Sequence, residues 1–343
     1  MRRGAELLDR ALEMSVVGSF SRIGYVARRR TQGFEPLSRR RLDGRSVAIT
    51  GATSGLGDWA ARRLGALGAH VLLLVRDTAR GEAIAVQIRG RYGVTVDVVE
   101  ADLSDLASVR RAAAAVAALA PRLHALIHNA GALLPSCTQT ADGIETTVAT
   151  HLIGPYLLTR MLLPQLEAAP GSRVIVVTSG GMYTQPLDVD HLQMTASTYR
   201  GSVAYARAKR AQVSLVAHCA PALERRGVSL VAMHPGWAYT PGMAAALPTF
   251  HRLTAPILRT VAEGADTMVL LVAADPETLH GAPLWLDRRP RPLHRLRRTA
   301  ASDTLTERRR LVEMCDRLSG PAALAGADPG MAGAAVAARE DPA

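Results

Sequence analysis

From Ser46 onward, short runs rich in Val, Leu and Ile alternate with longer helix-length stretches, and this alternation constrains the fold more than any other feature of the chain. Strands are expected at Ser46–Thr50, His70–Val75, Thr95–Glu100, Ala125–His128, Val174–Thr178, Val228–His234 and Pro283–Leu286. Helices are expected between them, at Asp58–Leu67, Gly81–Tyr92, Ser108–Leu119, Thr147–Leu166 and Ala204–Arg226. A tight turn cannot join two parallel strands, because the chain must travel back along the sheet before pairing again, and a helix is the usual return path. The expected fold class is therefore α/β, with a doubly wound parallel β-sheet in a single domain.

The flanks read differently. Residues 1–42 form a basic extension in which Leu7, Leu8, Leu12, Val16, Val17, Phe20 and Ile23 recur at roughly helical spacing, with arginine runs at Arg28–Arg30 and Arg39–Arg41. Such a helix either packs on its own fold, the commoner outcome, or lies on a membrane surface. The main domain is expected over residues 43–290, followed by a basic segment and helix over 291–318. From 319 to 343 the chain is mostly Ala, Gly and Pro with little to bury, and a disordered tail is expected.

A net charge of +11 would ordinarily point to nucleic acid or an anionic membrane. Among the 41 basic residues, however, Lys209 is the only lysine, and Asn129 is the only asparagine in the chain. That skew has the character of nucleotide bias in the coding sequence, and no basic array interleaved with aromatics accompanies it, so nucleic acid is not the expected partner. Positions that resist the bias become informative. The three cysteines form no CxxC pair, which argues against a zinc site or a disulfide framework. No apolar run reaches the ~18–20 residues of a membrane-spanning helix, and no secretory signal is visible. A cytoplasmic location is expected, with peripheral membrane contact through residues 1–41 and homo-oligomerisation kept open.

The first strand runs into Thr50-Gly51-Ala52-Thr53-Ser54-Gly55-Leu56-Gly57. Glycines at this junction permit a tight turn and let a pyrophosphate approach backbone N–H groups at a helix N-terminus. After the second strand stands Val75-Arg76-Asp77: Arg76 suits a ribose 2′-phosphate, whereas Asp77 would suit a free 2′-hydroxyl. Asp102 and Leu103 follow the third strand, where a carboxylate can meet an adenine amino group or merely cap a helix. Asn129, Ala130 and Gly131 follow the fourth, the amide suited to bonding backbone between strands and the glycine to close approach of a ligand.

Tyr205 and Lys209 stand four residues apart, hence on one face of the expected helix. A phenol ordinarily ionises near pH ~10, and a neighbouring ammonium is expected to draw that value down toward working pH. Arginine's planar fork would misplace the donors that a compact ammonium offers, which accounts for the lone lysine standing here. Ser179, at the carboxyl edge of the fifth strand, can hydrogen-bond the reacting oxygen. Pro235, Gly236 and Thr240 follow the sixth strand, and the stretch Tyr239–Leu258, with Met243, Leu247, Phe250 and Leu253, suggests an apolar entrance.

TGxxxGxG, the aspartate after the third strand, NAG, Ser, YxxxK and PGxxxT, in that order over about residues 43–290, resemble the short-chain dehydrogenase/reductase superfamily. The wording of VTSGGMYTQPLD, MHPGWAYTPG and GADTM carries the likeness upstream to about Met14. The resemblance implies a Rossmann-type fold and hydride transfer between NAD(P)(H), NADP(H) preferred, and a carbonyl or alcohol. It further implies Tyr205 as general acid/base, Lys209 as its partner and Ser179 as orienting hydroxyl. Cofactor contacts are implied from Thr50, Gly51, Gly55, Gly57, Arg76, Asp102, Asn129 and Thr240, with Thr53, Ser54, Leu56, Leu103, Ala130, Gly131, Pro235 and Gly236 beside them. One departure is His151, where many members carry an asparagine whose main-chain carbonyl helps hold a water linked to the lysine. Histidine offers the same carbonyl, so an altered proton relay is expected. The alternative is a weak or inactive NADP(H)-binding scaffold or sensor.

Overall fold

The computed structural model describes residues 2–320. Helices α1 (Arg2–Met14), α2 (Val16–Phe20) and α3 (Arg22–Thr31) precede β1 (Ser46–Thr50). Then come α4 (Gly55–Ala66), β2 (His70–Val75), α5 (Thr78–Tyr92), β3 (Val96–Glu100), α6 (Leu106–Leu119) and β4 (Ala125–His128). Beyond β4 lie α7 (Thr146–Val148), a π-helical turn at Ala149–Ile153, α8 (Gly154–Glu167), β5 (Ser172–Val177), α9 (Gly201–Arg225) and β6 (Val228–Met233). The chain continues through α10 (Pro241–Ala246), α11 (Pro248–Thr254), α12 (Val261–Ala273), β7 (Leu284–Leu286), β8 (Arg289–Pro290), α13 (Arg297–Ser302) and α14 (Leu305–Ser319). Of the tail expected over 319–343 only Ser319 and Gly320 are described, and Ser319 is not part of a loose tail: it is the buried last residue of α14, its carbonyl accepting from Arg110.

The strands form one sheet in the order β3-β2-β1-β4-β5-β6-β7-β8, parallel except for β8. Strand order reverses between β1 and β4, and ligands of open α/β sheets bind in the crevice that this reversal opens at the carboxyl edge. Both faces are covered: α6, α8 and α9 pack on one side, α4, α5 and α12 on the other. That double burial is why β1, β2, β5 and β6 are almost uninterrupted apolar runs.

Local chemistry sets the boundaries. Asp77 caps α5 by accepting from the Arg80 N–H at 2.9 Å, and Gly93 ends the helix at φ 65°. Asp105, not Asp102, caps α6 through the Ala107 N–H at 2.9 Å. The short antiparallel β8 and the helix α12 were not expected. The first depends on Asp287 and Arg288 adopting φ of 51° and 62°, the backbone of a two-residue hairpin turn. The second has a capping box, Thr260 with Glu263, ahead of a nearly all-apolar stretch whose periodicity alone cannot separate helix from strand.

The N-terminal extension departs most from expectation. It folds as three helices rather than one, and its apolar stripe does not face the domain: Leu7, Leu8, Met14, Val16, Val17 and Ile23 are exposed, while Phe20 is buried. The inward face is instead polar. Arg28, first of an arginine triplet, is fully buried and donates to Asp9 (2.7 Å), Glu13 (2.6 Å), the Ser19 carbonyl (3.0 Å) and Asp287 (2.7 Å). Arg259 reaches the other oxygen of Asp287 (2.6 Å) and the Phe20 and Ser19 carbonyls. Arg291 pairs with Asp9 and Arg295 with Glu13. A buried guanidinium is tolerated only when its donors and charge are met, and Arg28 and Arg259 find theirs in carboxylates and carbonyls from opposite ends of the chain.

Candidate active site

At the carboxyl edge of the sheet lies a cleft of about 800 Å³. Arg76, Asp77 and Arg80 line it after β2, Asp102 and Leu103 after β3, and Asn129, Ala130 and Gly131 after β4. Thr50, Gly51, Thr53, Ser54, Gly55 and Leu56 form its floor, and Ser179, Tyr205, Lys209, Pro235, Gly236 and Thr240 line the remainder. Of the residues expected there, Gly57 and His151 are placed behind the wall rather than on it. Met243, read from sequence as part of an apolar entrance, lines the cleft, as do Arg80, Leu134, Thr146, Thr147 and Thr150, which carried no motif that would have pointed to them.

The glycine loop is held by the single asparagine. Asn129 Nδ2 donates to the carbonyls of Thr50 (3.0 Å) and Gly51 (3.1 Å), while Thr50 Oγ1 accepts from the N–H groups of Asn129 and Ala130, both at 3.0 Å. These bonds cross from β1 to β4 at the switch point. Gly51 adopts φ +67°, and a Cβ there would lie 2.7 Å from Ala130 Cα; one on Gly57 would lie 2.3 Å from the Gly51 carbonyl oxygen. The loop therefore closes tightly on the neighbouring backbone and leaves the start of α4, which has no side-chain cap, turned to the cleft. Thr240, which caps α10 through the Met243 N–H, sits across from it, its Cγ2 3.2 Å from where a Gly55 Cβ would be. Shape, glycine packing and the basic pair Arg76 and Arg80 at one end fit a dinucleotide.

At the other end, Lys209 Nζ donates to the Val177 carbonyl at 2.8 Å and sits 5.4 Å from the centre of the Tyr205 ring. Tyr205 and Ser179 both line the cleft, and Ser179 Oγ accepts from the Gly181 N–H at 3.3 Å. Burial, the larger influence, raises the Tyr205 phenol above its ordinary value, and the nearby Ser179 side chain offsets part of that rise. The ammonium, instead of drawing the phenol down, is itself pushed to about 7 by burial. This reverses the expected direction: desolvation outweighs charge attraction, and the phenol is protonated at neutral pH.

His151 occupies the π-helical turn, its Nε2 2.8 Å from the Ala132 carbonyl and its ring edge-on to Tyr205 at 5.1 Å and 90°. Burial, then the charge of Lys209, push its imidazole down to about 3, so it is neutral. A Cβ on Gly131 would lie 2.5 Å from His151 Cε1, so Gly131 makes room for this ring as well as for a ligand. The main-chain carbonyl of His151 accepts a hydrogen bond from Gln212 Nε2 at 2.5 Å. One of the two lone pairs of the carbonyl expected to hold a water is thus taken by a side chain that carried no sequence signal.

Fold, cleft and motif placement together define a nicotinamide-dependent oxidoreductase, and the family model for short chain dehydrogenases matches residues 45–249: the chain belongs to that family. Among its relatives, dehydrogenase/reductase SDR family member 12 of Bos taurus is 35% identical over 81% of this chain and 87% of its own length. Retinol dehydrogenase 12 of Homo sapiens is 35% identical over 68% of this chain and 75% of its own. A short-chain dehydrogenase from Sphingobium yanoikuyae, solved in complex with NADPH, is 26% identical and superposes with a TM-score of 0.53 over 66% of this chain and 83% of its own. Among the described residues, no helix is long and apolar enough to cross a membrane.

Proposed function

We propose that this protein interconverts a carbonyl and an alcohol on a lipophilic substrate with NADP(H), Tyr205 serving as general acid in reduction and general base in oxidation. The placement of Tyr205 and Ser179 on the wall of one cleft, with Lys209 Nζ 5.4 Å from the centre of the tyrosine ring, carries this reading. NADP(H) supplies the hydride. Ser179 orients the reacting oxygen, and Tyr205 holds the proton that this oxygen gains or loses. Lys209, anchored on Val177, stands beside the phenol and offers donors toward the ribose. Met243 lines the cleft beyond Thr240, which supports a greasy substrate. A panel of aldehydes and ketones, from retinoid-like to small polar, tests it with purified protein.

Preference for NADP(H) rests on how the two candidate side chains after β2 are employed. The Asp77 carboxylate is taken up capping α5, whereas Arg76 is exposed at the cleft with Arg80 beside it. A charge-assisted bond to a 2′-phosphate is worth about 1.5–3 kcal/mol, so Arg76→Ala should weaken NADPH binding roughly 10- to 100-fold and leave NADH nearly unchanged. Fluorescence titration reads both. Equal losses for the two cofactors would contradict the assignment.

A second reading, a cofactor-binding protein with little turnover, is favoured by the engaged His151 carbonyl. Tight NADPH binding without turnover across the panel would select it.

Contact with an anionic bilayer is supported by the outward apolar side chains Met14, Val16, Val17 and Ile23, which neighbour exposed Arg10, Arg22, Arg29 and Arg30. Sedimentation with phosphatidylserine vesicles, but not neutral ones, is expected, and Val17→Glu should abolish it. Equal recovery of wild type and Val17→Glu in the pellet would refute this contact.

A further inference from the structure

The loop that follows the serine of the site does not stand by itself. Ser179 opens a short 3₁₀ turn, Gly180–Thr184, and the turn after β6, His234–Thr240, forms the opposite lip of the cleft. Between the two, from behind, stands Phe20 of the N-terminal extension, 2% exposed. Its ring is stacked on Tyr183 at 6.0 Å and meets His234 edge-on at 4.7 Å and Trp237 at 6.3 Å. Gly180 has no room for a side chain because Phe20 Cε2 would be 2.6 Å from its Cβ. The Phe20 carbonyl accepts from the Trp237 N–H at 2.7 Å and from Arg259 Nε at 2.9 Å, and it lies 2.6 Å from where a Gly236 Cβ would be.

We propose that Phe20 is a positioning residue for the site: wedged between the Ser179 turn and the Pro235–Gly236 turn, it sets where the serine hydroxyl stands relative to Tyr205. The N-terminal extension is on this view part of the catalytic apparatus. The proposal rests on the reading that Ser179 and Tyr205 carry the chemistry. Phe20 does not line the cleft, so it acts through its neighbours and not on substrate or cofactor. Two independent attachments fix it: the ring to both turns, and the backbone to Arg259, which the Asp287 carboxylate holds in turn. Displacing a reacting hydroxyl by about 1 Å costs up to 100-fold in rate, so the wedge need not contribute any contact to the ligand to matter.

Phe20→Ala and Phe20→Leu, compared with wild type, test the wedge. Expected is a fall in kcat of roughly 10- to 100-fold for Phe20→Ala and a smaller fall for Phe20→Leu, with the NADPH Kd changing far less than kcat in both. A role confined to stability would lower the melting temperature and leave kcat per folded molecule alone, and that result would overturn the proposal. Should Phe20→Ala fail to fold, Phe20→Leu decides by the same criteria. Hydrogen exchange on both variants supplies a readout that needs no turnover: faster exchange confined to residues 180–184 and 235–240, with 51–57 unchanged, is expected. If wild type turns over no carbonyl, the functional reading fails, and the exchange pattern still decides the wedge; unchanged exchange in both turns would sink it.

Discussion

Tyr205→Phe is expected to lower turnover by roughly 10²- to 10⁴-fold while leaving NADPH binding close to wild type. The substitution keeps the ring, and with it the edge contact to His151 at 5.1 Å and the Lys209 ammonium 5.4 Å from its centre, and removes only the hydroxyl. The pH dependence follows from the direction of the Tyr205 shift. Because burial raises the phenol, its protonated, proton-donating form prevails through neutral pH, and carbonyl reduction should be lost only as pH rises through that raised value. Alcohol oxidation needs the phenolate and should accelerate over the same alkaline range. Rate–pH profiles in both directions, on wild type and Tyr205→Phe, check this. A variant that keeps wild-type rates would remove Tyr205 from the acid/base role.

Asp287→Asn should be the most destabilising conservative exchange in the protein, by about 3–5 kcal/mol. The carboxylate is 1% exposed and receives Arg28 Nη1 at 2.7 Å, Arg259 Nη1 at 2.6 Å and Arg259 Nη2 at 3.0 Å. Both guanidiniums are buried, so an amide in its place strands positive charge away from water. Asparagine tolerates the φ of 51° found at this position, which separates loss of charge from backbone strain. For a chain of this size the melting temperature should drop by on the order of 10 °C. Asp43→Asn, which breaks an ion pair with Arg41 whose side chains are 61% and 62% exposed, should leave the melting temperature close to that of the wild type. Thermal melts of the two variants side by side provide the comparison, and similar melting temperatures would refute the assigned weight of the buried cluster.

Much of the site was legible because its chemistry is local in sequence. The spacing of Tyr205 and Lys209 needs only a helix to bring them to one face, and the glycines of residues 51–57 need only a strand-to-helix turn. Asn129 and Lys209, singular in composition, both prove to be buried or half-buried donors to main-chain carbonyls of neighbouring strand ends, the kind of position that an arginine fork cannot share. Gln212 was invisible because its role depends on a carbonyl sixty-one residues away. Likewise, nothing local distinguishes Arg28 from Arg29 and Arg30; only partners supplied by Asp9, Glu13 and Asp287 make the first a buried residue while the others stay exposed.

By itself, then, the order of residues determined the strand–helix alternation, the parallel sheet and the residues that meet at its carboxyl edge, since periodicity and turn chemistry act over a few residues and the crossover rule does the rest. Tertiary structure alone decided which face of the N-terminal extension is inward, that Phe20 stands behind the serine turn, and in which direction the Tyr205 phenol and Lys209 ammonium shift. Those outcomes turn on desolvation and on charges brought together from distant segments, and neither quantity exists until the chain has folded.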